Sequence, residues 1–156
     1  MRLPTILFIL ITSSCAVQQQ AGEAFYVTKV VDGDTFWGER NDGTRVKVRM
    51  IGIDAPETRR SEFKEIGYYG EEAKAFLTER IDNQEVYLRF DVDSLDQYGR
   101  TLAYVYLEDE TFVNAEMIEN GYAKMVTFPP NVEHVKLFER LQREAREKSV
   151  GLWERE

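Results

Sequence analysis

The chain has 156 residues, of which 43% are hydrophobic and 12% aromatic, which predicts one globular domain and excludes an intrinsically disordered chain. Its formal net charge of −8 at pH 7 excludes the broadly basic surface with which proteins bind nucleic acid regardless of sequence. Cys15 is the only cysteine, so the folded domain has no internal disulfide and depends on its apolar core.

The first 16 residues are typical of an export signal. Arg2 gives a positive start, residues 3–11 are almost entirely apolar, and small residues follow at 12–16. The apolar run is shorter than the roughly 20 residues that a membrane-spanning helix needs, so we expect no spanning helix. The protein is therefore predicted to be exported.

Two processing routes stay open at the end of this segment. Cleavage near Cys15 leaves a cysteine that can carry a lipid, whereas cleavage after Ala16 releases the domain. The mature protein is then secreted, periplasmic or lipid-anchored at the cell surface. In either case we expect a polar linker over residues 17–23 and a folded domain over residues 24–154.

The first half of the domain predicts three strands separated by two turns. Aromatic and β-branched residues run through residues 25–31 and 35–40, and a third strand follows the Asn-Asp-Gly turn at 41–43. In this third strand apolar side chains alternate with basic ones, so it has one buried and one solvated face. Arg49, at its end, therefore points away from the core.

The second half of the domain mixes helices and strands. We predict, in chain order, a mobile loop over 58–70, a helix over 71–81, strands over 85–92 and 101–107, a short helix over 111–120 that stops at Gly121, and a last helix capped by Asn131 and ending before Gly151. Five strands with a helix between the third and fourth is the order of an OB-type barrel. The predicted fold is mainly β with α: a five-stranded OB-fold barrel with about three packed helices.

Two short runs carry groups suited to phosphate chemistry. Asp34 and Asp54 are oxygen donors for a hard cation, and Arg49 offers a planar fork that fits two phosphate oxygens. Glu57 is available as a base, and Pro56 stiffens the corner from which it projects. Together these residues indicate hydrolysis of phosphate esters.

Each of these features alone has a plainer interpretation. An Asp-Gly-Asp triplet is typical of a solvated turn, and a single arginine in an acidic protein more often makes a surface ion pair. The lack of a cysteine or histidine cluster in the sequence argues against zinc. The one histidine, His134, lies among apolar residues without a nucleophile motif nearby, so we expect it to be structural.

Three motifs in order give the chain a family resemblance. They are Asp-Gly-Asp-Thr at residues 32–35, Arg-x-x-x-x-Asp-x-Pro-Glu at 49–57 and Asp-x-Tyr-Gly-Arg-x-Leu-Ala-Tyr at 96–104. On these motifs, residues 25–153 resemble the thermonuclease family, the staphylococcal-nuclease-like proteins.

The resemblance implies an OB-fold with flanking helices and calcium-dependent hydrolysis of DNA and RNA, which breaks the bond to the 5′ oxygen and leaves 3′-phosphate ends. By position, Asp34 and Asp54 would be ligands of Ca²⁺ together with the backbone carbonyl of Ala55, and Asp32 would support the metal site indirectly. We expect single strands to be favoured as substrate and the protein to be a monomer.

The same resemblance implies the groups that act on the phosphate. Glu57 would activate or orient the attacking water, while Arg49 and Arg100 would neutralise charge on the phosphorus oxygens. Tyr98 would contact a phosphate. Family members have a pair of tyrosines that stack on a base where this chain has Val126-Thr127-Phe128, and we expect Phe128 to serve in their place.

Two other functions stay open on the sequence. One is a non-catalytic OB-fold module that binds nucleic acid or a protein partner, and the other is a surface-tethered calcium-binding domain with a structural role. The sequence favours catalysis because it retains Glu57 with both arginines, which a binding module does not need. The acidic net charge further predicts weak, cation-dependent affinity for the substrate.

Overall fold

The computed structural model describes residues 22–58 and 67–155, so the predicted export signal and most of the predicted linker and loop lie outside the described residues. Among the residues it describes, no helix is both long and apolar enough to cross a membrane. In chain order the elements are β1 (Glu23–Asp32), β2 (Thr35–Glu39), β3 (Arg45–Met50), β4 (Ile53–Asp54), α1 (Gly70–Ile81), β5 (Glu85–Arg89), β6 (Thr101–Tyr106), α2 (Val113–Glu119), β7 (Lys124–Met125), α3 (Val135–Glu147) and a 3₁₀ helix (Gly151–Arg155).

Five of the strands close into a barrel in the order β1-β2-β3-β6-β5. β1 pairs antiparallel with both β2 and β5, whereas β3 pairs parallel with β6. A parallel pair needs a long crossover connection, and the chain through α1 and β5 supplies it. The five-stranded barrel with three α-helices confirms the predicted OB-type fold.

The barrel interior and the inner helix faces share one apolar core. In β1 the buried side chains are Phe25, Val27 and Val30; the alternation of a strand is shifted after Val27 because the register with β2 slips there. In α1, Leu77 and Ile81 are one helical turn apart and fully buried. Helix and barrel are therefore held together by burial of apolar surface.

A second, two-stranded sheet was not predicted. β4 pairs antiparallel with β7, so that Asp54 lies opposite Lys124, and the Val126 N–H donates to the Gly52 carbonyl at 3.0 Å just beyond. Two-residue strands are too short to show a periodic pattern in the sequence. This sheet fastens the corner that carries Asp54 to the chain that follows α2.

The boundaries of the last two α-helices partly differ from the prediction. Gly121 follows α2 with φ of 70°, which confirms it as a glycine stop. α3, however, begins at Val135 with His134 at its N-cap, so the prediction that Asn131 caps this helix is wrong. The Asn131 side chain instead bonds the backbone of Asp93.

His134 has the structural setting that the sequence predicts. Its ring lies 4.5 Å from the Tyr104 ring and 4.9 Å from the Phe112 ring between centroids, and 6.0 Å from that of Phe138. Burial lowers the pKa of His134, which favours the neutral imidazole in this aromatic cluster.

Candidate active site

A glycine brings the first acidic motif against the corner after β4. A β-carbon added at Gly33 would lie 2.7 Å from the β-carbon of Ala55 and 2.9 Å from that of Ala73, closer than such atoms approach one another. The turn between β1 and β2 therefore packs directly on the corner and on α1. This approach requires a residue without a side chain.

The next residue, Asp34, is held from several sides. It is 6% exposed; its Oδ2 accepts the Ala55 N–H at 2.9 Å, and its Oδ1 accepts the Thr35 hydroxyl at 2.9 Å. Asp32 supports the turn because its Oδ1 accepts the Asp34 N–H at 3.3 Å. The predicted metal ligand is thus a fixed, buried carboxylate.

Arg49 brings the two predicted metal-ligating carboxylates together. One end of its guanidinium forms an ion pair with Asp34 Oδ2, and the other end lies 2.9 Å from Asp54 Oδ1. The Arg49 side chain is 14% exposed, whereas that of Asp54 is 51% exposed. We call Asp34, Arg49 and Asp54 the carboxylate corner: it is buried on one side and open to solvent on the other.

The positive charge at this corner does not fully balance the buried negative charge. Burial raises the pKa of Asp34 to about 6; the Arg49 guanidinium opposes this rise and the Asp32 carboxylate adds to it. The Arg49 guanidinium thus faces the carboxylates of both Asp34 and Asp54 at a partly buried site. Such a corner has capacity for a further positive charge.

The donor atoms fit a hard cation such as Ca²⁺. Asp34 and Asp54 each place a carboxylate oxygen against one end of the Arg49 guanidinium, and the backbone of Ala55 bonds Asp34 at the same corner. Within residues 22–58 and 67–155, no group of three or more acidic, histidine or cysteine side chains forms a metal cluster. Ca²⁺ takes six to eight oxygens, so solvent or substrate would have to supply part of its coordination.

Glu57 follows this corner in the chain, three residues beyond Asp54. Its backbone carbonyl accepts the Gly67 N–H at 2.9 Å, and a β-carbon at Gly70 would lie 2.7 Å from that carbonyl oxygen. The Glu57 side chain is partly exposed. The chain entering α1 therefore packs against the backbone that carries the predicted base.

A groove of about 460 Å³ lies beside the carboxylate corner and is lined by Arg49, Arg100 and the turns near them. We call residues 93–100, on one side of the groove, the turn wall, and residues 126–131, on another, the proline wall. Both predicted arginines therefore contribute to one concave surface.

Arg100 is held by an aspartate in its own turn. Asp96 Oδ2 accepts the Arg100 Nε–H at 2.7 Å, and Asp96 Oδ1 accepts the backbone N–H groups of Tyr98 and Arg100, both at 2.9 Å. Burial acts to raise the pKa of Asp96, but these hydrogen bonds outweigh it and hold the pKa below its usual value. This role of Asp96 was not predicted, although an aspartate two residues before a Tyr-Gly pair is a recognisable turn signal.

The two predicted substrate-binding aromatics also line the groove. Tyr98, on the turn wall, is 75% exposed, and Phe128, on the proline wall, is 69% exposed. The Arg100 guanidinium carbon lies 5.6 Å from the Tyr98 ring centroid. Large aromatic surfaces left exposed in a concave site indicate a binding partner.

The structure therefore places the predicted residues in two neighbouring sets. Asp34, Asp54 and Arg49 are in direct contact, while Arg100 bonds Asp96 and joins Arg49 only through the shared groove. Sequence reasoning also missed a residue that connects the two walls. That residue is Asn131.

Comparison with known proteins gives the same family across most of the chain. The family model described as staphylococcal nuclease homologue matches residues 47–155. Thermonuclease from Staphylococcus intermedius is 41% identical over 134 residues, covering 86% of this chain and 78% of that protein. Thermonuclease from Staphylococcus hyicus is 36% identical over 131 residues, covering 84% and 76%.

A relative from another genus matches as well. The SPbeta prophage-derived endonuclease YokF of Bacillus subtilis is 32% identical over 127 residues, covering 80% of this chain and 42% of that protein. The family match and the two thermonucleases each span well over half of the sequence. The chain belongs to the staphylococcal nuclease family.

Proposed function

We propose that the protein is an exported, calcium-dependent nuclease that hydrolyses phosphodiester bonds of DNA and RNA and leaves 3′-phosphate ends. One observation carries this proposal: Arg49 joins Asp34 and Asp54 at the edge of a groove that Arg100 also lines. Cation-binding carboxylates beside a concave surface that two guanidiniums line are the groups that phosphodiester hydrolysis requires. The thermonuclease relatives support nuclease activity.

The chain's own residues divide the chemical work. Asp34, Asp54 and the Ala55 carbonyl would hold Ca²⁺, which when bound supplies positive charge beside the phosphate. Arg49 and Arg100 bind the phosphate oxygens and stabilise the charge that grows on them.

Glu57 is the general base in this proposal. It takes a proton from water as the water oxygen bonds to phosphorus, the bond from phosphorus to the 5′ oxygen breaks, and that oxygen takes up a proton from solvent water while Glu57 returns its proton to solvent. The phosphate stays on the 3′ side of the break. The reaction therefore consumes one water and leaves a 3′-phosphate and a 5′-hydroxyl.

The groove favours single strands as substrate. Tyr98 and Phe128 present exposed rings on which unpaired bases stack, and bases inside a duplex are not available for such contacts. Tyr98 also lies beside Arg100, where its hydroxyl is suited to contact a phosphate. Because the chain carries a net charge of −8, we expect affinity to depend on the bound cation and these few groups rather than on a basic surface.

Export and processing complete the proposal. Cleavage near Cys15 or Ala16 would remove the export signal, the polar residues before β1 would form a linker, and the folded domain that follows would act as a monomeric nuclease. Cys15 decides between a lipid-anchored and a released protein. Fractionation of cells that express the wild type and Cys15→Ala separates the two routes: a lipid-anchored protein moves from the membrane to the soluble exported fraction in the variant.

The activity is tested with purified protein, single-stranded DNA or RNA, and Ca²⁺ with or without a chelator. We expect acid-soluble fragments only with free Ca²⁺, and 3′ ends that accept a nucleotide label only after phosphatase treatment. Binding without fragments at any Ca²⁺ concentration would instead support the non-catalytic OB-fold module. Fragments with free 3′-hydroxyl ends would refute the proposed site of bond cleavage.

A further inference from the structure

Asn131 lines the groove, but its side chain is engaged with the other wall. It is 6% exposed. Its Oδ1 accepts the Asp93 N–H at 2.8 Å, and its Nδ2 donates to the Asp93 carbonyl at 2.8 Å. The amide thus pairs with both backbone groups of one residue, as a neighbouring strand would, and ties the proline wall to the turn wall.

The turn wall does not depend on this tie for its own shape. Leu102 N–H donates to the Ser94 carbonyl at 2.9 Å, and Asp96 N–H donates to the Arg100 carbonyl at 3.1 Å. These bonds continue from β6 and close the turn on itself. Arg100 therefore keeps its position whether or not the Asn131 amide is present.

The proline wall has fewer bonds of its own. Val126 N–H donates to Gly52, and Asn131 N–H donates to the Phe128 carbonyl at 3.1 Å. Between these points lie Pro129 and Pro130, which have no backbone N–H to donate. The Phe128 ring is 69% exposed, so its position depends on how the backbone of this wall is held.

We propose that Asn131 is a positioning residue that sets the spacing of the two walls and so places Phe128 against a base of the bound strand. The proposal rests on the proposed function, because it takes the groove as the site of a nucleotide strand. An aromatic ring contributes most to binding when its backbone is already fixed in the bound position. Asn131 thus acts on substrate affinity through Phe128 and not on the reacting atoms.

The test compares Asn131→Ala, Phe128→Ala and the double variant on a single-stranded oligonucleotide. KM and kcat are measured with Ca²⁺, and the dissociation constant is measured by fluorescence anisotropy. We expect KM and the dissociation constant of Asn131→Ala to rise about five- to tenfold, part of the contribution of a stacked base, with kcat changed less than about twofold. The double variant should bind no more weakly than Phe128→Ala, because both changes remove one interaction.

Asn114 provides a matched control for the loss of a buried amide. It is fully buried; its Oδ1 accepts the Val105 N–H at 2.9 Å and its Nδ2 donates to the Ile51 carbonyl at 2.8 Å. We expect Asn114→Ala to lower the free energy of unfolding without the selective rise in KM. Hydrogen exchange of the Asp93 amide should become faster in Asn131→Ala and not in Asn114→Ala.

Four results would overturn the proposal. Two concern Asn131→Ala alone: an unchanged KM despite faster exchange at Asp93, or a fall in its kcat with no change in KM. The other two are a double variant whose KM rises by the product of the two single effects, and a rise in KM for Asn114→Ala equal to that for Asn131→Ala. If Asn131→Ala does not fold, Asn131→Ser takes its place, since it keeps a polar side chain without adding charge. A wild type that binds the oligonucleotide without cleaving it would refute the proposed activity, and the dissociation constants would still test Asn131. A wild type that does neither would refute both.

Discussion

Arg49 and Arg100 line the same groove but belong to different parts of the molecule. Arg49 is the penultimate residue of the barrel strand β3, is 14% exposed and faces two carboxylates. Arg100 lies in a turn before β6, is 29% exposed and is held through Nε by Asp96 alone among the described residues. The charge of Arg49 is thus part of what allows the fold to bury Asp34, whereas that of Arg100 is added at the surface.

The largest expected effect comes from Glu57, the proposed general base, whose role neither arginine can perform. Glu57→Gln removes the base but keeps the size of the side chain, so kcat should fall by about 10²- to 10⁴-fold while the melting temperature stays close to that of the wild type. The fall is measured by initial rates on single-stranded DNA with Ca²⁺.

The control for this change in charge is Glu139→Gln. Glu139 is exposed on α3, away from the groove lining, and its substitution should leave the rate as it is. A Glu57→Gln enzyme with near-normal turnover would remove Glu57 from the mechanism and leave the two arginines with the corner carboxylates as the whole active site.

Alanine at each arginine tests the comparison directly. Arg49→Ala and Arg100→Ala should each lower kcat/KM by about 10²- to 10³-fold, because each removes charge from the developing transition state. Their stabilities should differ. Arg49→Ala leaves Asp34 buried without its ion pair and should lower the free energy of unfolding by about 3 kcal/mol, whereas Arg100→Ala should lower it by less than about 1 kcal/mol.

Urea unfolding of the two variants measures this difference. Equal losses of stability would mean that Arg49 is no more a part of the fold than Arg100, and the comparison would fail. A stable Arg49→Ala protein would show that Asp34 is buried as a neutral acid or finds another partner.

A smaller effect is expected from adding a side chain at Gly33, where the turn that carries Asp34 packs against Ala55. Gly33→Ala places a methyl group 2.7 Å from Ala55, so the turn must move, at a cost of about 1–3 kcal/mol and about tenfold in activity. Gly43→Ala is the control: its φ of 82° is unfavourable for alanine, but no atom lies within 4 Å.

We therefore expect Gly43→Ala to lower stability by about 1 kcal/mol without changing the rate. Thermal unfolding and initial rates distinguish the two variants. If Gly33→Ala lost stability but kept full activity, the position of Asp34 would not matter for catalysis.

The same contrast explains which parts of the site the sequence predicts. Arg49 and Asp54 are five residues apart, so the alternation of β3 and one turn motif are enough to predict that they lie close together. The turn that holds Asp96 and Arg100 is equally local, and only the role of Asp96 was missed. Short-range patterns determine both arginine positions.

No short-range sequence pattern predicts the contact between the groove walls or the pairing of the second sheet. Asp93 and Asn131 are 38 residues apart in the chain, and nothing near Asn131 indicates that its amide pairs with a distant backbone. The nearby helix pattern instead favours a capping role, which the structure contradicts. Contacts of this kind depend on tertiary packing, which periodicity and turn rules do not describe.

The smallest expected effect is a pH dependence of the stability that Asp96 gives to the turn holding Arg100. The pKa of Asp96 is held below its unfolded value of about 3.8, so its contribution to stability is present above that value and is lost as pH falls through the folded pKa. The difference in urea midpoint between the wild type and Asp96→Asn should therefore be constant from pH 7 to about pH 4.5 and shrink below about pH 4. A difference that instead persisted unchanged at pH 2.5 would mean that the charge of Asp96 does not stabilise the turn that holds Arg100, and that the backbone bonds of the turn wall hold it unaided.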